Sequence, residues 1–240
     1  MAVDELLLNN FKANDLPIFR LYGWNPSLTL GKFSKIDQTI DLKKLHRKNI
    51  QLTRRITGGG VLVHGGDISY SIVMAKNITN KQSVKETYKY LCSFILELYK
   101  KLKLRSFFAC DLDMKEEKNS FCLAGTESYD IIINNKKIGG NAQRHTSKVL
   151  LQHGTIPLDL DKEFFKDILL EDEPFKNTTD LKELNALDSY ERLKELIKES
   201  FCDTYGIKFI DSKLTSDEEK YINELVDKKY SSDSWNINGK

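Results

Sequence analysis

The residues best placed to do chemistry lie in one stretch, Arg54-Arg55-Ile56-Thr57-Gly58-Gly59-Gly60-Val61-Leu62-Val63-His64-Gly65-Gly66-Asp67-Ile68-Ser69-Tyr70-Ser71. Three consecutive glycines let backbone N–H groups face a ligand with no Cβ in the way. The two arginines before the loop can pair with a phosphate or a carboxylate. A lone Gly-Gly-Gly would read as a hairpin with solvated arginines. The flanking R-R-x-T and H-x-x-D-x-x-Y-S favour a binding loop instead. No Gly-Lys-Ser/Thr follows four residues on, so this is not a P-loop, and no G-x-G-x-x-G opens a helix.

Two further segments carry polar groups where apolar ones would be ordinary. Lys136-Lys137-Ile138-Gly139-Gly140-Asn141-Ala142-Gln143 places a lysine beside a Gly-Gly kink, where it can bind a carbonyl or phosphate oxygen. Lys136 reads as the polar side of the preceding turn. Leu151-Gln152-His153-Gly154-Thr155-Ile156 buries a Gln-His pair in an apolar strand, and both must find hydrogen bonds. For His153 a satisfied core histidine and a site residue are equally good readings. Four cysteines occur, Cys92, Cys110, Cys122 and Cys202, with no C-x-x-C pair. Free thiols in a reducing cytosol are expected, and Cys92, Cys110 and Cys202 read as small buried hydrophobes.

The elements that must position these residues follow from periodicity. Ala2–Asn10 is expected to be a short helix with Val3, Leu6, Leu7 and Asn10 on one stripe. Strands are expected at 18–22, 28–30, 51–55 and 68–74. In the last of these Ile68, Tyr70, Ile72 and Met74 share a face. Asp41–Lys48 reads as a basic helix. Ser83–Leu102 is the clearest helix, with Val84, Tyr88, Leu91, Ile95, Leu98 and Leu102 on one stripe and a Ser83/Glu86 capping box. Residues 129–138 read as a hairpin turning at Asn134-Asn135, and 149–158 as a central strand. From 160 onward the chain is helix-rich and almost free of glycine, with amphipathic helices expected at 181–201 and 216–228.

Composition bounds the rest. With 240 residues, 40% hydrophobic, the chain can bury a substantial core. The formal net charge is +2, which gives no bulk electrostatic case for nucleic acid. No run of about 18 apolar residues occurs, so no membrane span is expected. The start shows no basic and apolar leader pattern, so no secretory signal is read and a cytoplasmic location is expected. We expect one domain over 1–240, with 160–240 as its helical extension.

Taken together, 54–71, K-I-G-G-N-A-Q at 137–143 and L-Q-H-G-T-I at 151–156 resemble the biotin/lipoate protein ligase superfamily. The likeness is to its lipoate-ligase and octanoyltransferase branch. Met1-Ala2-x-Asp4-Glu5, Tyr22-x-Trp24 to Gly31, and Lys229-Tyr230 through Trp235-Asn236 resemble that branch's opening and close. The resemblance implies an α+β fold, a mixed β-sheet flanked by helices and related to class II aminoacyl-tRNA synthetases. It also implies substrate-binding roles for Arg54, Arg55, Thr57, Gly58, Gly59, Gly60, His64, Tyr70, Gly139, Gly140, Asn141, Ala142, His153 and Gly154. Leu62 and Ile72 are available to line an acyl site.

Within the branch, ligases carry a G-R-N-D-like segment ahead of the lysine hairpin. Here Ser120-Phe121-Cys122-Leu123-Ala124-Gly125-Thr126-Glu127-Ser128-Tyr129-Asp130 instead resembles the C-F-x-x-P-S-x-Y-E of cysteine-dependent octanoyltransferases, one residue longer and without the proline. The resemblance therefore implies Cys122 as nucleophile and Lys137 as its catalytic partner. It implies octanoyl-acyl carrier protein as donor and a lipoyl-domain protein or glycine-cleavage H protein as acceptor. No cofactor or metal is expected on this route. The alternatives are an ATP- and Mg-dependent lipoate ligase, and a catalytically silent acyl- or carrier-binding module.

Overall fold

The computed structural model describes residues 1–12, 14–79, 83–112 and 127–239. In chain order the elements are α1 (Ala2–Asn10), β1 (Ile18–Tyr22), β2 (Ser27–Leu30), α2 (Leu42–Arg47), β3 (Gln51–Arg54), β4 (Val61–His64), β5 (Asp67–Ala75), α3 (Val84–Lys101) and β6 (Phe107–Phe108). There follow β7 (Ile131–Ile133), β8 (Lys136–Ile138), β9 (Gly140–His145), β10 (Val149–Pro157), α4 (Lys162–Lys166), β11 (Thr178–Thr179), α5 (Tyr190–Tyr205), α6 (Ser216–Leu225) and α7 (Asp233–Asn236).

The described strands form three sheets, ordered β1-β5-β10-β9, β11-β8-β7-β6 and β3-β2-β4. The first is antiparallel throughout, and the other two each contain one parallel pair. The expected mixed sheet with flanking helices is thus present, divided into three. The first sheet is buried on both faces. On one, Ile68, Tyr70, Ile72 and Met74 of β5 and Leu150 and Ile156 of β10 pack against Leu91, Phe94, Ile95 and Leu98 of α3 and Leu193, Ile197 and Phe201 of α5. On the other, Val73, Ala75, Val149 and Leu151 meet α1 and the C-terminal Tyr230 and Trp235. Double burial explains why β5 and β10 lack simple alternation.

Local chemistry accounts for the ends of these elements. The Ser83/Glu86 capping box opens α3 as expected. Asn134 and Asn135, at φ 50° and 62°, make the tight β7–β8 turn. Two expectations need correction. The helix expected at 181–201 starts only at Tyr190, capped by Ser189, and runs to Tyr205, where Gly206 takes φ 64°. Upstream, the amides of Leu181 and Lys182 go to the carbonyls of Pro157 and Leu158, and bonds to the sheet end replace a helical ladder there. In α1 the buried residues are Ala2, Asp4, Leu6 and Leu8, so of the expected stripe Leu6 is buried while Val3, Leu7 and Asn10 are not. A carboxylate was drawn inward, and its partners lie on other strands.

Candidate active site

The glycine loop joins β3 to β4, and its carbonyls are turned into the scaffold. Thr57 O accepts from Lys32 N, Gly59 O from the Ser34 hydroxyl at 2.8 Å, and Gly60 O from Gly31 N at 3.0 Å. Arg55, 2% exposed, donates from Nη2 to Gly58 O and Gly60 O, and from Nη1 to the carbonyl and hydroxyl of Thr29. The described peptides are trans, so each amide points opposite to the carbonyl before it. The N–H groups of Gly58, Gly59 and Gly60 are therefore directed away from Arg55 and the Gly31–Ser34 turn. An outward set of amides in a loop can hold an anion or a developing oxyanion.

The loop's two sides differ in tolerance. A Cβ on Gly31 would sit 1.8 Å from Gly59 O, while one on Gly58 meets nothing within 4 Å. Gly31→Ala is expected to lower the thermal midpoint by several degrees by pushing the loop off its turn. Gly58→Ala is expected to keep the midpoint and to weaken binding of any ligand held by the amides. Paired melting and ligand-binding measurements on the two variants check both outcomes.

Arg54 departs from its expected role. Its guanidinium donates to five backbone carbonyls, those of Gly31, Lys32, Ser34, Trp235 and Ile237, and its own carbonyl accepts from the Trp235 indole. Arg54 locks the C-terminal segment and the 31–34 turn onto β3; the structure assigns its charge to the fold, not to a phosphate or carboxylate. His64 is likewise engaged internally. Nδ1 lies 3.0 Å from Asp67 and Nε2 2.9 Å from the Thr29 hydroxyl, and the ring stacks on Trp24 at 4.7 Å.

His153 occupies the junction of α1, β10 and the loop. Its Nδ1 lies 3.2 Å from Asp4 Oδ2 and its Nε2 2.7 Å from the Thr57 hydroxyl; Asp4 Oδ1 also takes Arg20 at 2.6 Å. A carboxylate can only accept, so Nδ1 carries the proton and Nε2 accepts from Thr57. Burial lowers the His153 pKa against the opposing pull of Asp4. Burial also works against the Asp4 carboxylate, but the His153 hydrogen bond and the Arg20 charge outweigh it and hold its pKa down.

Both groups therefore bind protons less readily when folded. Below the ordinary histidine value of 6.5 the unfolded chain takes up a proton that the folded chain refuses, and below the ordinary carboxyl value of 3.8 Asp4 adds a second. Stability should fall on acidification through these windows, by at most ~1.4 kcal/mol per pH unit for each group. Urea titrations from pH 7.5 to 5 are expected to show that slope, and His153→Gln to flatten it.

A second polar chain crosses the first sheet. The Tyr70 hydroxyl donates to Asn141 Oδ1 at 2.6 Å and accepts from Gln152 at 3.0 Å, whose Oε1 takes Gln143 at 2.7 Å. The Tyr88 hydroxyl bonds the Asn141 carbonyl. Gly154 makes room for this chain, because a Cβ there would lie 2.0 Å from Asn141 Oδ1. Gly139, at φ 77°, turns the chain from β8 into Gly140 and β9, passing 2.2 Å from Thr155 O at its would-be Cβ. Ala142 pairs with His153 across β9 and β10.

Lys137, on β8, is 4% exposed, and its ammonium lies 2.6 Å from Asp130 Oδ2. The same carboxylate oxygen accepts from Glu127 N at 2.7 Å. Cys122 lies outside the described residues. The flanks of its segment are fixed side by side, since Ala109 N bonds Asp130 O and Cys110 N bonds Ser128 O. Of the other cysteines, Cys92 is fully buried as expected, Cys202 is half-buried, and Cys110 is exposed, contrary to expectation. Burial raises the Cys92 pKa; burial and then Asp111 raise that of Cys110. The described residues contain no His/Cys/Asp/Glu cluster fit to hold a metal ion, and no helix long and apolar enough to cross a membrane.

Asp4, Asp130 and Gln152 complete these networks and were not expected as site residues. Asp4 and Asp130 sit inside motifs quoted above; Asp4 finds its partners on distant strands, and Asp130 finds Lys137 across the β7–β8 hairpin.

The lipoyl protein ligase A/B catalytic domain matches residues 1–207. Octanoyltransferase LipM of Geobacillus kaustophilus is 31% identical over 99% of this chain and 92% of its own. That of Oceanobacillus iheyensis is 32% identical over 100% and 92%. Among solved structures, lipoate-protein ligase A bound with ATP superposes with a TM-score of 0.87 at 24% identity, covering 100% of this chain and 93% of that one. A putative lipoate protein ligase from T. acidophilum with bound lipoic acid gives 0.85 at 25% identity, covering 99% and 92%.

Proposed function

The chain belongs to the lipoyl protein ligase A/B catalytic-domain family, and from that membership we propose that it is an octanoyltransferase of lipoate synthesis working through a thioester on Cys122. The observation that carries the activity is likeness to octanoyltransferases along essentially the whole of both chains. The donor is octanoyl-acyl carrier protein, and the acceptor is a lysine of a lipoyl-domain protein or glycine-cleavage H protein. The location is cytoplasmic.

In the first half-reaction the Cys122 thiolate attacks the octanoyl thioester, and the carrier leaves as its thiolate. In the second, the neutral acceptor amine attacks octanoyl-Cys122, the C–S bond breaks, and the proton lost from the amine passes to the departing sulfur, giving the amide and the Cys122 thiol. Each tetrahedral intermediate carries an oxyanion. The outward amides of Gly58–Gly60 and the Lys137 ammonium, held by Asp130, are the groups able to receive it. Exchange through a thiol needs no activation of the acyl group, so neither ATP nor Mg enters this route.

The test is intact-protein mass spectrometry after mixing with octanoyl-acyl carrier protein without ATP. A single octanoyl increment that hydroxylamine removes, and that Cys122→Ser lacks, is the expected result. Acceptor labelling that appears only with free acid and ATP would instead make the chain a ligase. That second reading draws on the fold shared with a putative ligase that holds lipoic acid.

A further inference from the structure

The glycine loop has three consecutive residues with no Cβ, and its amide directions bear on the reaction proposed above. Its underside is clamped by Arg55, Gly31 and Ser34. Its first residue, Thr57, is held twice, by the 31–34 turn and by β10. The carbonyl is taken by Lys32 N, and the hydroxyl by His153, which Asp4 in turn fixes. Thr57 is 1% exposed, His153 4% and Asp4 0%. The order Asp-His-Thr is that of a hydrolase triad, but no substrate carbonyl reaches a hydroxyl so buried. The set can act only by holding something in place.

We propose that Asp4 and His153 are positioning residues of the transfer site: by keeping the imidazole in the tautomer whose Nε2 accepts the Thr57 hydroxyl, they set the direction of the Gly58 and Gly59 amides. An Asp4 carboxylate requires the proton on Nδ1, which leaves Nε2 as acceptor. An asparagine at position 4 can donate to Nδ1 instead. The ring then carries its proton on Nε2, and the Thr57 hydroxyl loses its acceptor. Protonation of His153 has the same effect from the other direction. The charged groups facing the ring are Asp4 and the amino terminus from α1, and Arg55 beyond the end of β3; Arg20 on β1 reaches it through Asp4.

This inference rests on the acyl-transfer reading for its kinetic arm and not for its structural arm. Asp4→Asn, Thr57→Val and the double variant are compared with wild type by hydrogen exchange of the 55–63 segment. They are also compared by acyl transfer, with octanoyl-acyl carrier protein alone and, separately, with octanoate and ATP. Whichever acylation the wild type performs settles the activity; the ratios among the variants settle the inference in either case.

Each single variant is expected to exchange the hydrogen-bonded amides of the 55–63 segment, Arg55 N to Leu30 O among them, at least about tenfold faster. Each should also lose kcat by roughly 100-fold, with the donor KM changed less than about threefold. The double variant should be no worse than the poorer single, because both changes break one relay. His153→Gln, which offers an acceptor that does not titrate, is expected to stay active and to lose the acid limb expected of wild type, which burial of His153 displaces to the acid side of the ordinary histidine range. Unchanged loop exchange in Asp4→Asn would overturn the proposal. So would losses that multiply in the double variant, or an acid limb retained by His153→Gln.

Discussion

Cys122→Ala is expected to lower octanoyl transfer by on the order of 10⁴-fold or more and to abolish the acyl-enzyme adduct, the usual consequence of deleting a nucleophile. Cys92 and Cys110 are poorly placed to stand in. Cys92 is fully buried and donor-bonded by Gln152 at 3.4 Å, and burial keeps it a thiol. Cys110 is exposed, but burial of its sulfur and the adjacent Asp111 push its pKa up as well, which disfavours the thiolate. Cys110→Ala is therefore expected to transfer at the wild-type rate. Single-turnover kinetics with octanoyl-acyl carrier protein separate the two variants. Wild-type turnover in Cys122→Ala would mean that the thioester route is not used.

Asp130→Ala is expected to cost about 3 kcal/mol, because it strips the buried Lys137 ammonium of the carboxylate 2.6 Å away. For a chain of this length that is a fall of about 10 °C in thermal midpoint. Removing both members is expected to behave differently. Asp130→Ala combined with Lys137→Met takes the charge out of the interior altogether and should recover most of the lost stability. Transfer should stay at the level of Lys137→Met alone, since the group proposed to receive the oxyanion is gone. Melting curves and transfer rates on the three variants thus separate what the pair does for the fold from what the lysine does for the reaction. A double variant as unstable as Asp130→Ala would show that the pair is not what the mutation breaks.

The loop and the two arginines before it illustrate how far residue types can be read. Gly58-Gly59-Gly60 announces a backbone site because only glycine leaves amides uncovered. The same local sequence cannot say that Arg55 folds the loop while Arg54 does not touch it. That division depends on strand parity: successive side chains at the end of β3 point to opposite sides. Arg55 is thereby turned toward Thr29 and the loop, and Arg54 toward the C-terminal Trp235–Ile237 turn. His64 and His153 show the same limit. Each sits in a motif rich in polar residues, and each has both ring nitrogens bonded within the protein. An isolated motif cannot distinguish a histidine waiting for a ligand from one bracing the loop that binds it.

What the sequence determined by itself is what depends on near neighbours. This covers the capping box of α3, the Asn134-Asn135 turn, the shared face of Ile68, Tyr70, Ile72 and Met74 on β5 and the three motif blocks that carry the family. These are set within a few residues by backbone sterics, periodicity and local hydrogen bonds. Tertiary structure alone decided which charges meet. Asp4 reaches His153 across 149 positions, Arg54 reaches Trp235 across 181, and the helix expected from Leu181 gave way to amides captured by the end of β10. Such pairings are chosen by burial, because a carboxylate or guanidinium taken out of water needs a partner wherever the packed elements bring one within reach.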